Sequence, residues 1–360
     1  MKIGQPEPNI TYKPTIHAFE PEMAGITPLK KVVVVVGGAN VDIVGQALQP
    51  MAQGDSTPGH MAISRGGVGR NLAENLARLG MATQLFSAVG SDDWGRMVCQ
   101  QTGASGVDVS GVFCSSTLPS AQYLSLVQPD GSLHAAINDM RVLEALSPEV
   151  LRQQGLDLSA ANALVLDCNL QADTLAWLLD HARVHPGLLV VVDAVSAAKC
   201  TKIRGHLAHI DLLKVNPLEA QALTGLTVTC VADAKRAAHW LWQQGVGRTV
   251  LSLGKQGVCW CDAKGQVGFM ATKTATNPVQ IVNTNGAGDA LLAGALYGLL
   301  AAFSWPQVMQ WGMACAALTL TVATANAEHL SPQAVQAIVL AQLVSDQTSA
   351  LLGENQPHET

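Results

Sequence analysis

Val282-Asn283-Thr284-Asn285-Gly286-Ala287-Gly288-Asp289-Ala290-Leu291 decides how the rest of the chain reads. The segment passes from a polar loop through small residues into an apolar helix. Gly286, Ala287 and Gly288 allow close backbone approach, and their N–H groups sit where a helix begins. A helix N-terminus carries unpaired donors and partial positive charge, which suits a phosphoryl group. Asp289 falls in the first turn, where a carboxylate can take the proton of an attacking hydroxyl. Locally, the same letters also fit an ordinary helix start, with glycines for packing and an acid facing the helix dipole. A P-loop is excluded, because no Gly-x4-Gly-Lys-Ser/Thr pattern occurs. A dinucleotide fingerprint is excluded as well, because Leu291 occupies its third glycine position.

Two further glycine loops lie upstream. Gly66-Gly67-Val68-Gly69-Arg70-Asn71 opens a helix, and Asn71 can donate to and accept from a vicinal diol. Gly37-Gly38-Ala39-Asn40-Val41-Asp42 follows a run of valines, and Asp42 can accept from two adjacent hydroxyls. A tight turn and a helix cap are the plainer readings of these two loops.

The spacing around these loops predicts a parallel α/β sheet. Val32 to Val36 is a continuous β-branched run, as in a strand buried on both faces. Asn71 to Leu79 has helical spacing and stops at Gly80. Strands then recur at Gln84–Val89, Ala163–Leu166, Leu188–Val192, Asp211–Val215 and Arg248–Leu253, with helices at Thr174–His181 and Pro217–Leu223. Several of these strands end in Asp, Asn or Gly, and ligands bind beyond the carboxyl ends of such sheets. Two stretches break the rhythm, about 44–64 and 112–138, and are expected to form a small β lid. The second contains the hairpin signal Pro129-Asp130-Gly131. Asp92-Asp93 reads as a turn, and Trp240 and Trp242 as helix packing. Residues 1–30 read as a loose arm, 31–345 as the folded domain and 346–360 as a tail.

Composition narrows the partners. A net charge of −6 without a dense Lys/Arg run argues against nucleic acid. Ala290 to Phe303 is apolar but shorter than the roughly 18 residues that a membrane span needs. The eight cysteines are scattered, apart from Cys259-Trp260-Cys261, and no second pair completes a zinc set. Buried thiols in a reducing cytoplasm are the simplest setting.

Together, the Gly66–Asn71 and Asn285–Asp289 loops resemble the two signatures of the PfkB (ribokinase-like) carbohydrate and nucleoside kinases. Five segments resemble the pseudouridine kinase branch of that family: Gly66–Asn71, Ala136-Ile137-Asn138-Asp139-Met140, Asp167-Cys168-Asn169, Val195-Ser196-Ala197-Ala198-Lys199-Cys200 and Asn283–Asp289. The resemblance implies a ribokinase-like three-layer α/β/α core with a mostly parallel sheet and a small β-sheet lid. It implies ATP-dependent phosphorylation of the 5′-hydroxyl of pseudouridine. Another sugar or nucleoside acceptor is the alternative, and a non-catalytic sensor of the same fold is a third reading.

The family also implies roles for matching positions. Asp289 is the implied general base, and Gly286, Ala287 and Gly288 the anion hole. Asn40, Asp42, Gly66, Gly67 and Asn71 are implied substrate contacts, with Asn138 reaching down from the lid. Asn216, Ser252, Gly254, Gly257 and Asn326 are implied ATP contacts, with Asn326 near the adenine. Glu219 is the implied Mg²⁺ residue, through water. Many members carry Asp where this chain has Asn283, which puts K⁺ dependence in doubt. His60 and His134 fall in the lid segments. Exposed lid edges suggest a homodimer formed through the lid.

Overall fold

The structure is a computed structural model that describes residues 29–272 and 281–353, and the C-terminal helix is described without its side chains beyond residue 342. The expected loose arm therefore lies almost wholly outside the described residues.

Among the described residues, nine strands form the main sheet. They are β1 (Val32–Val36), β4 (Ala82–Gly90), β5 (Val112–Ser115), β8 (Ala163–Asp167), β9 (Leu189–Asp193), β10 (Leu212–Val215), β11 (Thr249–Ser252), β12 (Gly257–Cys261) and β13 (Val267–Ala271). Their order is β13-β12-β11-β10-β9-β8-β1-β4-β5. Neighbours pair in parallel from β11 to β5, and β12 runs antiparallel between β11 and β13. A second sheet has the order β3-β2-β6-β7, from β2 (Asn40–Ala47), β3 (Gly59–Gly66), β6 (Gln122–Val127) and β7 (Leu133–Asp139).

Helices cover both faces of the main sheet. One face carries α3 (Pro148–Gln153), α4 (Ala172–Ala182), α5 (Pro217–Thr224) and α6 (Val231–Gln243), packed on Val34, Val36, Leu164, Leu166 and Val192. The other carries α1 (Val68–Arg78), α7 (Ala287–Leu300), α8 (Trp305–Leu320) and α9 (Pro332–Gly353), packed on Val33, Val35, Val165 and Val191. The valine run of β1 thus feeds both cores alternately, as the two-residue period of a strand requires. The layers are those of a ribokinase-like α/β/α core.

Four expectations need adjusting. The lid strands begin at Asn40 and extend to Gly66, and they resume at Gln122. Val112–Ser115 is not lid: it pairs with Ser87–Gly90 and widens the main sheet. Asp92 does not shape a simple turn. It caps α2 (Asp93–Ala104) by accepting from Gly95 N at 2.9 Å, and it also accepts from Ser120 N at 2.8 Å. The C-terminal helix continues to Gly353, beyond the boundary expected at 345. The Asp130-Gly131 hairpin joins β6 to β7, with Gly131 at a φ of 84°. Cys259 and Cys261 are both fully buried on one face of β12. Among the described residues no helix is long and apolar enough to cross a membrane.

One crossing fixes the carboxyl edge of the sheet. Gly37 and Gly38, just after β1, run against Gly67 and Gly69 at the start of α1. A Cβ on Gly69 would lie 2.7 Å from Gly37 Cα, and one on Gly67 would lie 2.4 Å from Gly38 O. Gly67 also has a φ of 97°, which other residues rarely adopt. Asp167, at the end of β8, ties the crossing together. Its Oδ2 accepts from Gly38 N and from Gly69 N, both at 2.8 Å, and its Oδ1 accepts from Asn169 N at 2.8 Å. Replacing Asp167 with Ala leaves three amides without a partner, at about 1–3 kcal/mol each. The expected loss is about 3–6 kcal/mol, read as a lowered urea midpoint. A loss below about 1 kcal/mol would show that this carboxylate does not hold the crossing.

Candidate active site

α7 begins at Gly286, which has a φ of 78°. A Cβ there would come within 1.9 Å of Ala325 O, so the loop tolerates only glycine at this position. Ala287 N approaches Thr284 O at 3.5 Å, and Gly286 accepts no side-chain cap. The turn of Gly286, Ala287 and Gly288 is half-buried. Among the described residues the N–H groups of Gly286 and Gly288 have no partner, and a helix end of this kind stabilises an anion.

Asp289 is 7 % exposed, and Asn71 Nδ2 donates to its Oδ2 at 2.7 Å. This bond joins the two glycine loops, 218 residues apart in sequence. Burial pushes the Asp289 carboxyl up to about 7, assisted by the negative charge of Asp193; Lys214 and Asn71 oppose the rise. A carboxylate so poised exchanges a proton close to neutral pH.

Lys214 brings a positive charge to this site. Its Nζ lies 3.1 Å from Asp193 Oδ2, and a Cβ on Gly288 would come within 2.9 Å of it. Burial works against its charge, but Asp193, Glu219 and Asp289 outweigh burial and raise the ammonium above its ordinary value. Neither Lys214 nor Asp193 was among the candidate residues. The signal was present as a lysine inside the apolar strand Leu212-Leu213-Lys214-Val215, where an unpaired charge is not tolerated.

The substrate-side candidates gather on the lid and α1. Asn40 Nδ2 donates to Asp42 Oδ1 at 2.6 Å. Asp42 lies against Gly66, where a Cβ would meet its Oδ2 at 2.2 Å. Burial raises the Asp42 carboxyl, and Asn40 and Arg70 pull it back. Asp42, Tyr123 and Asn138 are cross-strand partners and share one lid face. Asn138 lines a cavity of about 550 Å³ together with Met140, Arg141, Asn169, Lys199 and Lys202. Lys199 Nζ donates to Asn169 Oδ1 at 2.6 Å, and a Cβ on Gly38 would meet Asn169 Nδ2 at 2.9 Å, so the cavity adjoins the first glycine loop. His60 and His134 are exposed, and His134 Nδ1 pairs with Gln128 Nε2 at 3.0 Å.

The nucleotide-side candidates divide. Asn216 and Glu219 form a reciprocal cap on α5: Glu219 accepts from Asn216 N at 2.8 Å and Nδ2 at 2.7 Å, and Glu219 N donates to Asn216 Oδ1 at 3.0 Å. Glu219 is 1 % exposed, so it is not a solvated helix acid; burial raises its carboxyl against the pull of Lys214. Ser252 ends β11 and Gly254 lies exposed in the following turn. Gly257 has a φ of 123° and faces Met270 O at 2.1 Å from a notional Cβ, which a hairpin crossing explains by itself. Asn326 departs from expectation. It is 2 % exposed, and both ends of its amide are taken by Arg70, Asn71 and Asn75 behind the site. No face of that side chain is left for an adenine.

A sequence profile of the pfkB family carbohydrate kinases matches residues 30–331. The chain belongs to this family. It is 38 % identical to the pseudouridine kinase of Escherichia coli (strain K12), over 84 % of this chain and 94 % of that one. It is 37 % identical to an uncharacterized sugar kinase of the same organism, over 83 % of this chain and 80 % of that one. In fold it is similar to Arabidopsis thaliana ribokinase complexed with ribose and ATP, with a TM-score of 0.74 at 20 % identity, covering 86 % of this chain and 98 % of that one. The chain is therefore a small-molecule phosphotransferase with an alcohol acceptor.

The pKa of Asp289 makes stability depend on pH. The folded protein binds this proton more tightly than the unfolded chain, whose carboxyl titrates near 3.8, so stability falls as pH rises from about 4 to about 7. Asp289→Asn removes the buried charge. It is expected to raise Tm at pH 8, with the gain shrinking towards zero near pH 4. A pH-independent difference in calorimetry would contradict a raised pKa.

Proposed function

We propose that the chain transfers the γ-phosphoryl group of ATP to the 5′-hydroxyl of pseudouridine. One observation carries the phosphotransfer: the buried carboxylate of Asp289, bonded to Asn71 Nδ2 at 2.7 Å, stands one residue past the amides of a helix N-terminus. Asp289 takes the hydroxyl proton as the alcohol oxygen attacks phosphorus. The amides of Gly286, Ala287 and Gly288 and the ammonium of Lys214 offset the charge that develops on the phosphoryl oxygens. Asn40, Asp42, Gly66, Gly67 and Asn71 hold the ribose.

The acceptor reading rests on the cavity beyond the ribose contacts. Its volume of about 550 Å³ exceeds what a pentose needs, and Asn138, Asn169 and Lys199 supply donors and acceptors for the imide edge of a base. The 38 % identical relative named as a pseudouridine kinase supports the same acceptor. The 37 % identical sugar kinase makes a free sugar the competing one.

On the nucleotide side, Ser252 and Gly254 flank the ATP, and Asn216 belongs to the same edge. Mg²⁺, when bound, would supply positive charge to the phosphates. Glu219 fits it through water rather than directly, because each of its oxygens already accepts from Asn216. A bound K⁺ is not part of this reading: Asn283 brings no charge, and its amide is engaged with Ala323 O at 2.8 Å and Asn285 N at 3.0 Å.

The lid supports a homodimer, through its face rather than its edge. Ile63, Ile43, Leu124 and Ile137 form one cross-strand row, and Met61, Gly45, Leu126 and Ala135 the next. Met61, Ile63 and Ile137 are 66 %, 51 % and 71 % exposed. A patch of this kind suits a second copy of itself across a two-fold axis.

Release of ADP across pseudouridine, uridine, ribose, adenosine and fructose tests the acceptor. The expected outcome is the highest kcat/KM with pseudouridine; a preference for ribose or fructose would replace it with a sugar. Asp289→Asn is expected to lower kcat by roughly 10²–10⁴ with little change in substrate affinity. Near-normal turnover would remove Asp289 from the mechanism. Sedimentation should give a dimer that Ile137→Asp converts to monomer; a wild-type monomer would overturn the lid contact.

A further inference from the structure

Arg70 is fully buried, and so is its partner Glu74. Burying a guanidinium is costly unless its donors are matched, so the partners it meets are informative. Nη1 donates to Glu74 Oε2 at 2.6 Å and Nε to Gly66 O at 3.0 Å. Nη2 donates to Asn326 Oδ1 at 2.6 Å and also to Asn71 Oδ1. Burial pulls the Arg70 pKa down to about 10, and Glu74 restrains the fall, so the group stays charged at neutral pH. Glu74 is held in turn by Arg65 at 2.9 Å and Arg78 at 2.8 Å.

We propose that Arg70 is a positioning residue for the Asp289 carboxylate, acting through the side-chain amide of Asn71. The inference rests on the reading of Asp289 as the general base. An Asn amide has one accepting end and one donating end. With Oδ1 taken by the guanidinium, the NH₂ end must face Asp289. The reversed amide would set its oxygen against the carboxylate and its NH₂ against the cation, and both contacts repel. Asn326 keeps the guanidinium from turning away: its Oδ1 accepts from Arg70, and its Nδ2 donates to Asn71 O at 2.9 Å and Asn75 Oδ1 at 2.8 Å. The donors therefore run one way, from Arg70 to Asn71 to Asp289. The same arrangement leaves Asn71 as a donor, not an acceptor, towards a substrate hydroxyl.

The other charged groups that act on Asp289 are Asp193 from β9, Lys214 from β10 and Asp167 from β8. None of them contacts Arg70 through a hydrogen bond or ion pair among the described residues. Arg70 also acts on the Asp42 carboxyl through its charge, which Arg70→Lys keeps, so a shift that Asn71→Ala shares and that does not add in the double variant reports the Asn71 amide.

The test is kcat/KM with pseudouridine against pH for Arg70→Lys, Asn71→Ala and the double variant. Lysine keeps a charge beside Glu74 but lacks the planar fork that reaches Asn71 and Asn326 together. Losing the donor to a carboxylate raises its pKa. The acid limb of Arg70→Lys should move alkaline by about half to one pH unit, the worth of one such hydrogen bond. Asn71→Ala should show the same shift, and the double variant no further one. Asn326→Ala, which releases Nη2 from its anchor, should shift the limb in the same direction and serves if Arg70→Lys does not fold. A limb that stays at its wild-type pH in a folded variant, or shifts that add, would overturn the proposal and leave Arg70 a purely structural residue. If Asp289→Asn turns over at the wild-type rate, the general-base reading fails instead. An inactive Asp289→Asn with unmoved limbs in the other variants sinks the positioning role alone.

Discussion

A carboxylate held out of water is tolerable only when something compensates its charge, and at Asp289 that compensation is finely balanced. Burial and Asp193 drive the proton on, while Lys214 and the Asn71 amide drive it off. The outcome near neutrality depends on a 2.7 Å hydrogen bond between two loops that meet only in the folded chain. Everything else at the carboxyl edge of the sheet keeps those loops in register. Gly37 and Gly69 cross without side chains, and Asp167 spends its carboxylate on the backbone amides of both loops.

The loop after α8 performs the matching task on the far side. Ala325 O lies against Gly286, while Asn326 bonds into α1. One short segment thus fastens the start of α7 to the helix that carries Asn71. The positive φ of Gly286 and the burial of Asn326 are two consequences of that fastening. It also explains why a polar residue in a loop is unavailable to a ligand.

The lid divides its duties by strand periodicity. One row joins Asp42, Tyr123 and Asn138, on the side of the polar cavity, and the adjacent row joins Ile43, Leu124 and Ile137. Side chains alternate across a sheet, so one set of strands carries a polar face and an apolar face. The proposed dimer and the proposed acceptor site are opposite faces of one sheet.

The sequence by itself determined the elements whose signals are local. The valine run of β1, the stop at Gly80, the Asp130-Gly131 hairpin and the two glycine loops all depend on nearest neighbours, and each element formed where its residues predicted it. Asp289 was legible too, because a helix start and an acid in its first turn lie within a few residues. Tertiary structure decided what depends on distant partners. Lys214 brings a positive charge to the site because β9 brings Asp193 to it, and Asn326 becomes part of the core because α1 supplies three partners. Val112–Ser115 joined the main sheet because β4 offered it a free edge. Electrostatic and hydrogen-bond energies fall off over a few ångströms in space, whatever the separation along the chain, so the properties they set emerge only once the chain has folded.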